Sequence, residues 1–404
     1  MFEDNERKEI EIKEITIAFL GNANSGKSST IGILTKVKNG KIERADLDDG
    51  NGKSRASTLR FIQEKITGMT SSISFNYMKD NNSIISLVDM AGQETYLKTT
   101  IRGITTSYPD YALLCIEKSI TKITLEHLSL ISVFNIPFGI IMTKADLIPA
   151  EKMKKNISHI MKYIKQLNKR AIIISDSQQI DSIYDNIPII LTSNVSGAGY
   201  ERLIKLINTV EKIKRVYPEV FVVDAWYRVQ GFGIVVCGMS GIRIEKGAEL
   251  KAMIDGEAIG VRVRSIHNDY REFVDILNMG QRGSLCIKIE PKYKRYVRCG
   301  LILSSNKIPP LTKNFVAKIH IFRGALCTIK RGFHAYINMN TAKGCIKFNK
   351  IHSEDGQELE FTRANQTCVI EAEFVEDAKY ITSGQVFIFR DGKSIGFGKI
   401  EKLA

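Results

Sequence analysis

The stretch Gly21-Asn22-Ala23-Asn24-Ser25-Gly26-Lys27-Ser28 limits what this chain can become more than any other. Its pattern is G-x-x-x-x-G-K-S. The apolar run Ile15–Leu20 before it reads as a strand, and Ser28–Thr35 after it reads as a helix. In that setting the two glycines let the backbone close around oxygens, and its N–H groups point at a phosphate. The helix turns its positive end toward the same anion. Lys27 adds a mobile charge for β- and γ-phosphates, and Ser28 offers a hydroxyl to Mg²⁺. Gly21 through Ser28, with Ser29 behind them, are the expected phosphate-binding residues.

The order of elements around this loop agrees with it. Ile84–Asp89, Tyr111–Glu117, Phe138–Thr143, Ala171–Ser175 and Ile187–Leu191 read as strands. Thr124–Phe134, Glu151–Leu167 and Tyr200–Ile213 read as helices, with Thr124 as the expected cap of the first. Met153, Ile157, Ile160, Ile164 and Leu167 fall on one face of the second. Ser72–Tyr77 alternates polar and apolar residues and pairs with Ile84–Asp89 as a hairpin. The alternation predicts an α/β domain with a mostly parallel sheet and a ligand beyond the carboxyl ends of its strands. Residues 1–14 read as a frayed, charged lead. Lys38–Met69 is long and polar, with a helix signal only near Ser57–Lys65, and is where a mobile switch would sit.

Past Arg215 the texture changes to short runs rich in Val, Ile, Phe and Tyr, separated by glycines or charged turns. Phe221–Trp226, Ala258–Ile266, Val316–Ile321 and Val369–Phe374 are examples. Such spacing predicts antiparallel barrels or sandwiches. Pro309-Pro310 marks a junction between two of them. The expected domains are 1–215, 216–306 and 307–404.

More motifs stand at the ends of the first domain's strands. Asp89-Met-Ala-Gly92 follows a buried strand. Asp89 can hold Mg²⁺ through water, and the Gly92 N–H can meet a γ-phosphate and report its loss. In Thr143-Lys-Ala-Asp146 the acid can accept from guanine N1 and N2, a donor pair that adenine lacks. The stem of Lys144 can cover the base. Ser193, Asn194 and Val195 can present a backbone N–H to guanine O6. Thr70 suits a threonine that binds Mg²⁺ only beside a γ-phosphate. Together, in this order, these motifs describe a guanine-nucleotide switch that uses GTP, GDP and Mg²⁺.

They are also the signatures of a GTPase, and the domain resembles translational GTPases of the elongation factor Tu type. Asp49-Gly-Asn-Gly52 with Arg55, Thr67–Ser72, Asp89–Thr100 and Ser193–Gly197 resemble the eukaryotic GTP-binding protein 1 and 2 branch. Val235–Gly238, Val263–His267 and Phe389–Leu403 fit the same branch. The resemblance implies an α/β P-loop GTPase domain followed by two antiparallel β-barrel domains. It implies GTP hydrolysis to GDP and phosphate, with Lys27, Thr70 and Gln93 as the catalytic residues. It also implies aminoacyl-tRNA or other RNA as partner, at the ribosome or in RNA surveillance. Three positions depart from the family pattern. Asn24 stands where the family usually has Asp; other GTPases use Asn there to hold K⁺, so Asn24 either holds K⁺ or only shapes the loop. Gln93 stands where a water-positioning His is usual, and Gln does that work in Ras-like GTPases. Thr143 replaces Asn, as in some relatives that include selenocysteine-specific factors.

Composition narrows the setting. The net charge of +14 and the pI of about 9.3 suit an anionic partner, most simply RNA. Lys288–Arg298 interleaves cations with tyrosines, which suits an RNA end or simply a charged, shielded barrel edge. Seven cysteines without a C-x-x-C pair read as thiols in a reducing compartment, the cytoplasm. The charged N-terminus does not read as a signal peptide, and the longest apolar stretch, near Ile131–Met142, is broken by Asn135 and Pro137. No membrane association is expected, and the oligomeric state is open. The alternative function is a nucleotide-regulated scaffold for RNA-decay or release-factor-like partners, with slow or incidental hydrolysis.

Overall fold

A computed structural model describes residues 13–58, 73–80, 83–176, 180, 183–215, 217–254, 257–305, 310–322, 328–339, 342–391 and 393–404. The lead at 1–12, most of the helix expected near Ser57–Lys65, Thr70 with its neighbours, and Pro309 lie outside these residues. The chain divides at Lys214 and Arg215 into two compact units.

The first unit is built on a seven-stranded sheet. Its strands are β1 (Lys13–Gly21), β2 (Ser74–Asp80), β3 (Ser83–Asp89), β4 (Tyr111–Ile116), β5 (Phe138–Met142), β6 (Ala171–Ile173) and β7 (Ile187–Leu191). They lie in the order β2-β3-β1-β4-β5-β7-β6. The expected hairpin of β2 and β3 is antiparallel, and every other pairing in the sheet is parallel. β4 and β5 are buried at every position, as strands covered on both faces must be. β1 pairs with β3 on one side and β4 on the other. Order reverses there, so a crevice opens at the carboxyl end of β1, where the phosphate-loop sequence begins.

The helices are α1 (Lys27–Leu34), α2 (Leu97–Ser107), α3 (Lys122–Val133), α4 (Ala150–Gln166) and α5 (Tyr200–Thr209). Ile31 and Leu34 of α1 share a core with Leu203 and Ile207 of α5 and with Ile17 and Phe19 of β1. α4 buries Met153, Ile157, Ile160 and Ile164 of the face its spacing predicts, but Leu167, expected with them, is exposed because the helix ends at Gln166 and Leu167 is only its cap. α3 starts earlier than expected, because its cap is Thr121 and not Thr124. Each threonine hydroxyl accepts the other's backbone N–H, at 3.2 and 3.3 Å. This reciprocal box satisfies two orphan donors where Thr124 alone would satisfy one. α5 ends at Thr209, short of the expected Ile213, where Val210 turns to ψ 134°.

The second unit contains two closed antiparallel barrels. In the first, Glu249–Ile254, Ile302–Ser304, Phe221–Val229, Gly233–Ser240, Arg282–Lys288 and Glu257–Asn268 pair in sequence around a ring. The pairing of Glu249–Ile254 with Glu257–Asn268 closes it. In the second, Asn314–Ile321, Thr367–Phe374, Lys343–His352, His334–Asn338, Val386–Asp391 and Lys393–Leu403 form the ring. Burial alternates along these strands: Asn314–Ile321 buries Phe315, Ala317, Ile319 and Ile321. That period of two is what a strand with one face on a barrel interior shows. Phe315, Phe348, Phe374, Phe387 and Phe389 fill the second barrel.

Candidate functional site

β1 ends at Gly21, with φ 138°. A Cβ at Gly21 would lie 2.3 Å from the Cys115 carbonyl oxygen of β4, so the chain can turn only with glycine here. Asn24, at φ 62°, adopts the left-handed backbone, which Asn tolerates better than most residues. Gly26, at φ 83°, then starts α1.

Lys27 is buried, and its Nζ donates to the carbonyls of Asn22 at 2.8 Å and Gly21 at 3.1 Å. Burial lowers its pKa, and the carboxylate of Asp89 opposes that shift. Ser28 donates its hydroxyl to Asp89 Oδ2 at 2.5 Å, and Asp89 is fully buried. A hydroxyl that donates to a carboxylate keeps its lone pairs for a hard cation. The described residues contain no group of three His, Cys, Asp or Glu that could hold a metal. Mg²⁺ at a nucleotide needs no such group, since phosphates and waters supply most of its ligands. Ser28 and Asp89 therefore fit it.

The Gly92 carbonyl accepts the Ala23 N–H at 2.9 Å. A Cβ on Gly92 would stand 2.6 Å from Lys27 Nζ and 2.7 Å from Ala23 N, so no side chain fits against the loop. Gln93 is half-buried, and its Oε1 accepts from the Thr95 hydroxyl at 3.4 Å.

On the other side, Thr143 donates its hydroxyl to the Ser25 carbonyl at 2.8 Å. That bond ties the end of β5 to the phosphate loop, and a Thr makes it with one short side chain. Lys144 has φ 55° and pairs with Glu117 at 3.3 Å. Asp146 sits exposed on the short turn Ala145–Leu147. Asn194 Oδ1 accepts from the Tyr200 hydroxyl at 2.9 Å and the Thr30 hydroxyl at 3.3 Å, which fixes the loop after β7 onto α1. Ser193 is buried and accepts the Ser196 N–H at 3.1 Å, while Val195 is exposed.

One cavity of ≈ 420 Å³ brings the two sides together, a size suited to a small ligand. Ala23, Asn24, Gly26, Lys27, Ser28, Ser29, Gly92 and Gln93 line one part; Lys144, Asp146, Asn194 and Val195 line the other. Gly21, Asn22, Ser25, Asp89, Thr143 and Ser193 are not among the lining residues and support them instead. Thr70 lies outside the described residues.

Residues 13–213 match the model of the elongation factor Tu GTP-binding domain. The first domain belongs to that family. Across 96% of its length the chain is 28% identical to GTP-binding protein 2 of Mus musculus, and it spans 69% of that relative. It is 25% identical to the selenocysteine-specific elongation factor of Methanocaldococcus jannaschii, over 97% of this chain and 82% of the other. The fold matches the GTP-bound Ski7 GTPase-like domain of S. cerevisiae with a TM-score of 0.70, 17% identity, and coverage of 97% of this chain and 98% of that one.

Two features of the site of this translation-factor-like GTPase had no role assigned by sequence reasoning. His127 of α3 accepts the Gly21 N–H on Nδ1 at 3.1 Å, beneath the entry to the loop. Its burial first, and the charge of Lys27 second, push its pKa down to about 3, so the ring is neutral with its proton on Nε2. In sequence it is a lone histidine on an apolar helix, with no spacing that marks it. The second is the loop of Asp48, Gly50, Asn51, Gly52 and Arg55, which also lines the cavity. Its sequence placed it in the expected switch stretch Lys38–Met69 and likened Asp49–Gly52 and Arg55 to a family branch, without giving it a place at the ligand.

Proposed function

We propose that the protein binds GTP with Mg²⁺, hydrolyses it to GDP and phosphate, and uses the difference to control its hold on aminoacyl-tRNA or other RNA. The single cavity carries this reading. It joins a phosphate cradle, a glycine that can sense the terminal phosphate, and an open carboxylate suited to guanine. Gly21 through Ser29 hold the phosphates. Ser28, Thr70 and, through water, Asp89 would hold Mg²⁺, which would neutralise phosphate charge when bound. Asp146 selects guanine, Lys144 covers the base, and Thr143, Ser193, Asn194 and Val195 frame it. Asn24 faces the phosphates, where it holds K⁺ or shapes the loop.

Hydrolysis joins a water oxygen to the γ-phosphorus and breaks the bond from that phosphorus to the β–γ bridging oxygen. GDP leaves, and the proton of the water passes to phosphate or solvent. Gln93 follows the sensing glycine, and its amide can accept from that water and donate to the transferring group. Lys27 stabilises the charge that builds on the leaving side. Domain boundaries at 215 and 306 separate this chemistry from two barrels that take up the RNA. The ribosome is the natural activator, and the cytoplasm is the natural compartment. Curated relatives named as GTP-binding proteins and elongation factors support the reading.

Single-turnover GTP hydrolysis with and without ribosomes tests it. Wild type is expected to be slow alone and stimulated by ribosomes. Gln93→Ala should bind GTP normally and lose about a hundredfold of the stimulated rate. Binding without turnover in any condition would instead favour the scaffold function.

A further inference from the structure

We propose that Arg55 is a nucleotide-contacting residue whose guanidinium reaches the phosphates of the bound nucleotide from within the same chain. This rests on the GTP-binding reading above. Arg55 lines the cavity together with Lys27, Ser28 and Gln93. The other lining cation, Lys144, pairs with Glu117 on the base side.

The segment that carries Arg55 is built to hold it there. Asp48 is buried, and its two carboxylate oxygens are committed to the loop. Oδ1 accepts the N–H groups of Gly50 at 2.9 Å and Gly52 at 3.1 Å; Oδ2 accepts the Ser54 N–H at 3.0 Å and the Ser54 hydroxyl. These bonds fold residues 48–54 into one compact turn that feeds the short helix Ser54–Ser57. Gly52 sits at φ 93°, and a Cβ on it would lie 2.5 Å from Arg55 Nε. The absent side chain is the seat of the arginine.

The ends of the segment say which part of the ligand it faces. The Asp48 N–H donates to the Asn194 carbonyl at 2.9 Å, which pins the start to the base side. The Thr58 carbonyl, three residues beyond Arg55, accepts from the Ser74 hydroxyl at 3.2 Å. Ser74 is the register partner of Asp89, which holds Ser28. The chain therefore runs from the base toward the metal side, and Arg55 stands on the metal-side half of that path. A planar guanidinium there can meet phosphate oxygens with two parallel donors, the strong charge-assisted form of such a contact. It would do in cis what an arginine supplied by a partner does in other phosphoryl-transfer enzymes.

The test uses the full chain and fluorescent GTP. Wild type, Arg55→Met, Arg55→Lys and Gly52→Ala are titrated, followed through single-turnover hydrolysis, and melted without nucleotide. Arg55→Met should bind GTP about tenfold to a hundredfold more weakly. Arg55→Lys should recover part of that loss, and Gly52→Ala should move in the direction of Arg55→Met because it displaces the arginine. Melting of nucleotide-free Arg55→Met should match wild type, which separates a ligand contact from a structural one. Wild-type affinity and rate in Arg55→Met would overturn the proposal and leave the GTP-binding reading standing. Failure of wild type itself to bind GTP would overturn both.

Discussion

Both units bury an apolar core, but the nucleotide-binding unit buries a larger share of polar groups beside it. The first buries a working set of polar groups: Lys27, Asp89, His127, Thr143 and Ser193 are each at most 5% exposed. The second barrel is filled instead by phenylalanines and isoleucines. Where these groups bond, as Lys27 does to Gly21 and Asn22, Ser28 to Asp89, Thr143 to Ser25 and His127 Nδ1 to Gly21, a few directional bonds hold the first unit's geometry. The barrel interior is held by volume and by ring-to-ring contacts, such as Phe348 with Phe389 at 5.8 Å and with Phe333 at 5.6 Å. A single substitution should therefore disturb chemistry in one unit and stability in the other.

The largest expected effect tests the second half of that contrast. Phe348→Ala should cost about 3–5 kcal/mol of stability in chemical denaturation. Its GTP affinity in native buffer should equal that of wild type. A parallel loss of affinity would mean that the two units share their stability and would break the contrast.

Asp146→Asn tests the first half. The exposed carboxylate carries no packing, so the melting profile should hold. GTP affinity should fall by about several hundredfold, as two charge-assisted hydrogen bonds are lost. Xanthosine triphosphate should gain, because its C2 carbonyl accepts from the new amide. Unchanged GTP affinity, read by nucleotide titration, would remove Asp146 from the base site.

The smallest expected effect sharpens the contrast by pH. His127 takes a proton near 6.5 when unfolded but only near 3 when folded. Between those values the unfolded state binds the extra proton, so acid favours unfolding. The stability contributed by the neutral ring is full above about pH 6.5 and falls as pH drops toward 3. At pH 5 the loss should be about 2 kcal/mol. Urea midpoints of the nucleotide-binding unit between pH 5 and 7 measure it. His127→Asn keeps an acceptor for Gly21 without a titrating ring, so its slope should be flatter; an equal slope would assign the effect to other groups.

Much of the first unit was legible because its chemistry sits in contiguous motifs. Gly21–Ser28 needs its glycines and lysine within eight residues, since one turn of backbone makes the cradle. Asp89–Gly92 and Thr143–Asp146 end buried strands, and strand ends are where a parallel sheet presents its ligands. The cap at Thr121 was misassigned to Thr124 because both threonines suit a cap and only the reciprocal bond chooses between them. In the barrels, short runs rich in Val, Ile, Phe and Tyr between glycines or charged turns announced strands. They carried nothing about partners around the ring.

The sequence by itself determined the phosphate-loop motif, the order of the strand-end motifs, the parallel sheet and the change to β-structure after Arg215, because each depends on residues close together in the chain. Only the tertiary structure decided what distant residues do for one another. It set His127 under Gly21, 106 positions earlier, and Thr143 against the Ser25 carbonyl, 118 positions earlier. It also closed the second barrel by pairing Asn314–Ile321 with Lys393–Leu403. Hydrogen bonds and ring closure of this kind carry no periodicity and no local propensity. They exist only once the sheet and its helices have brought the groups within about 3 Å of each other.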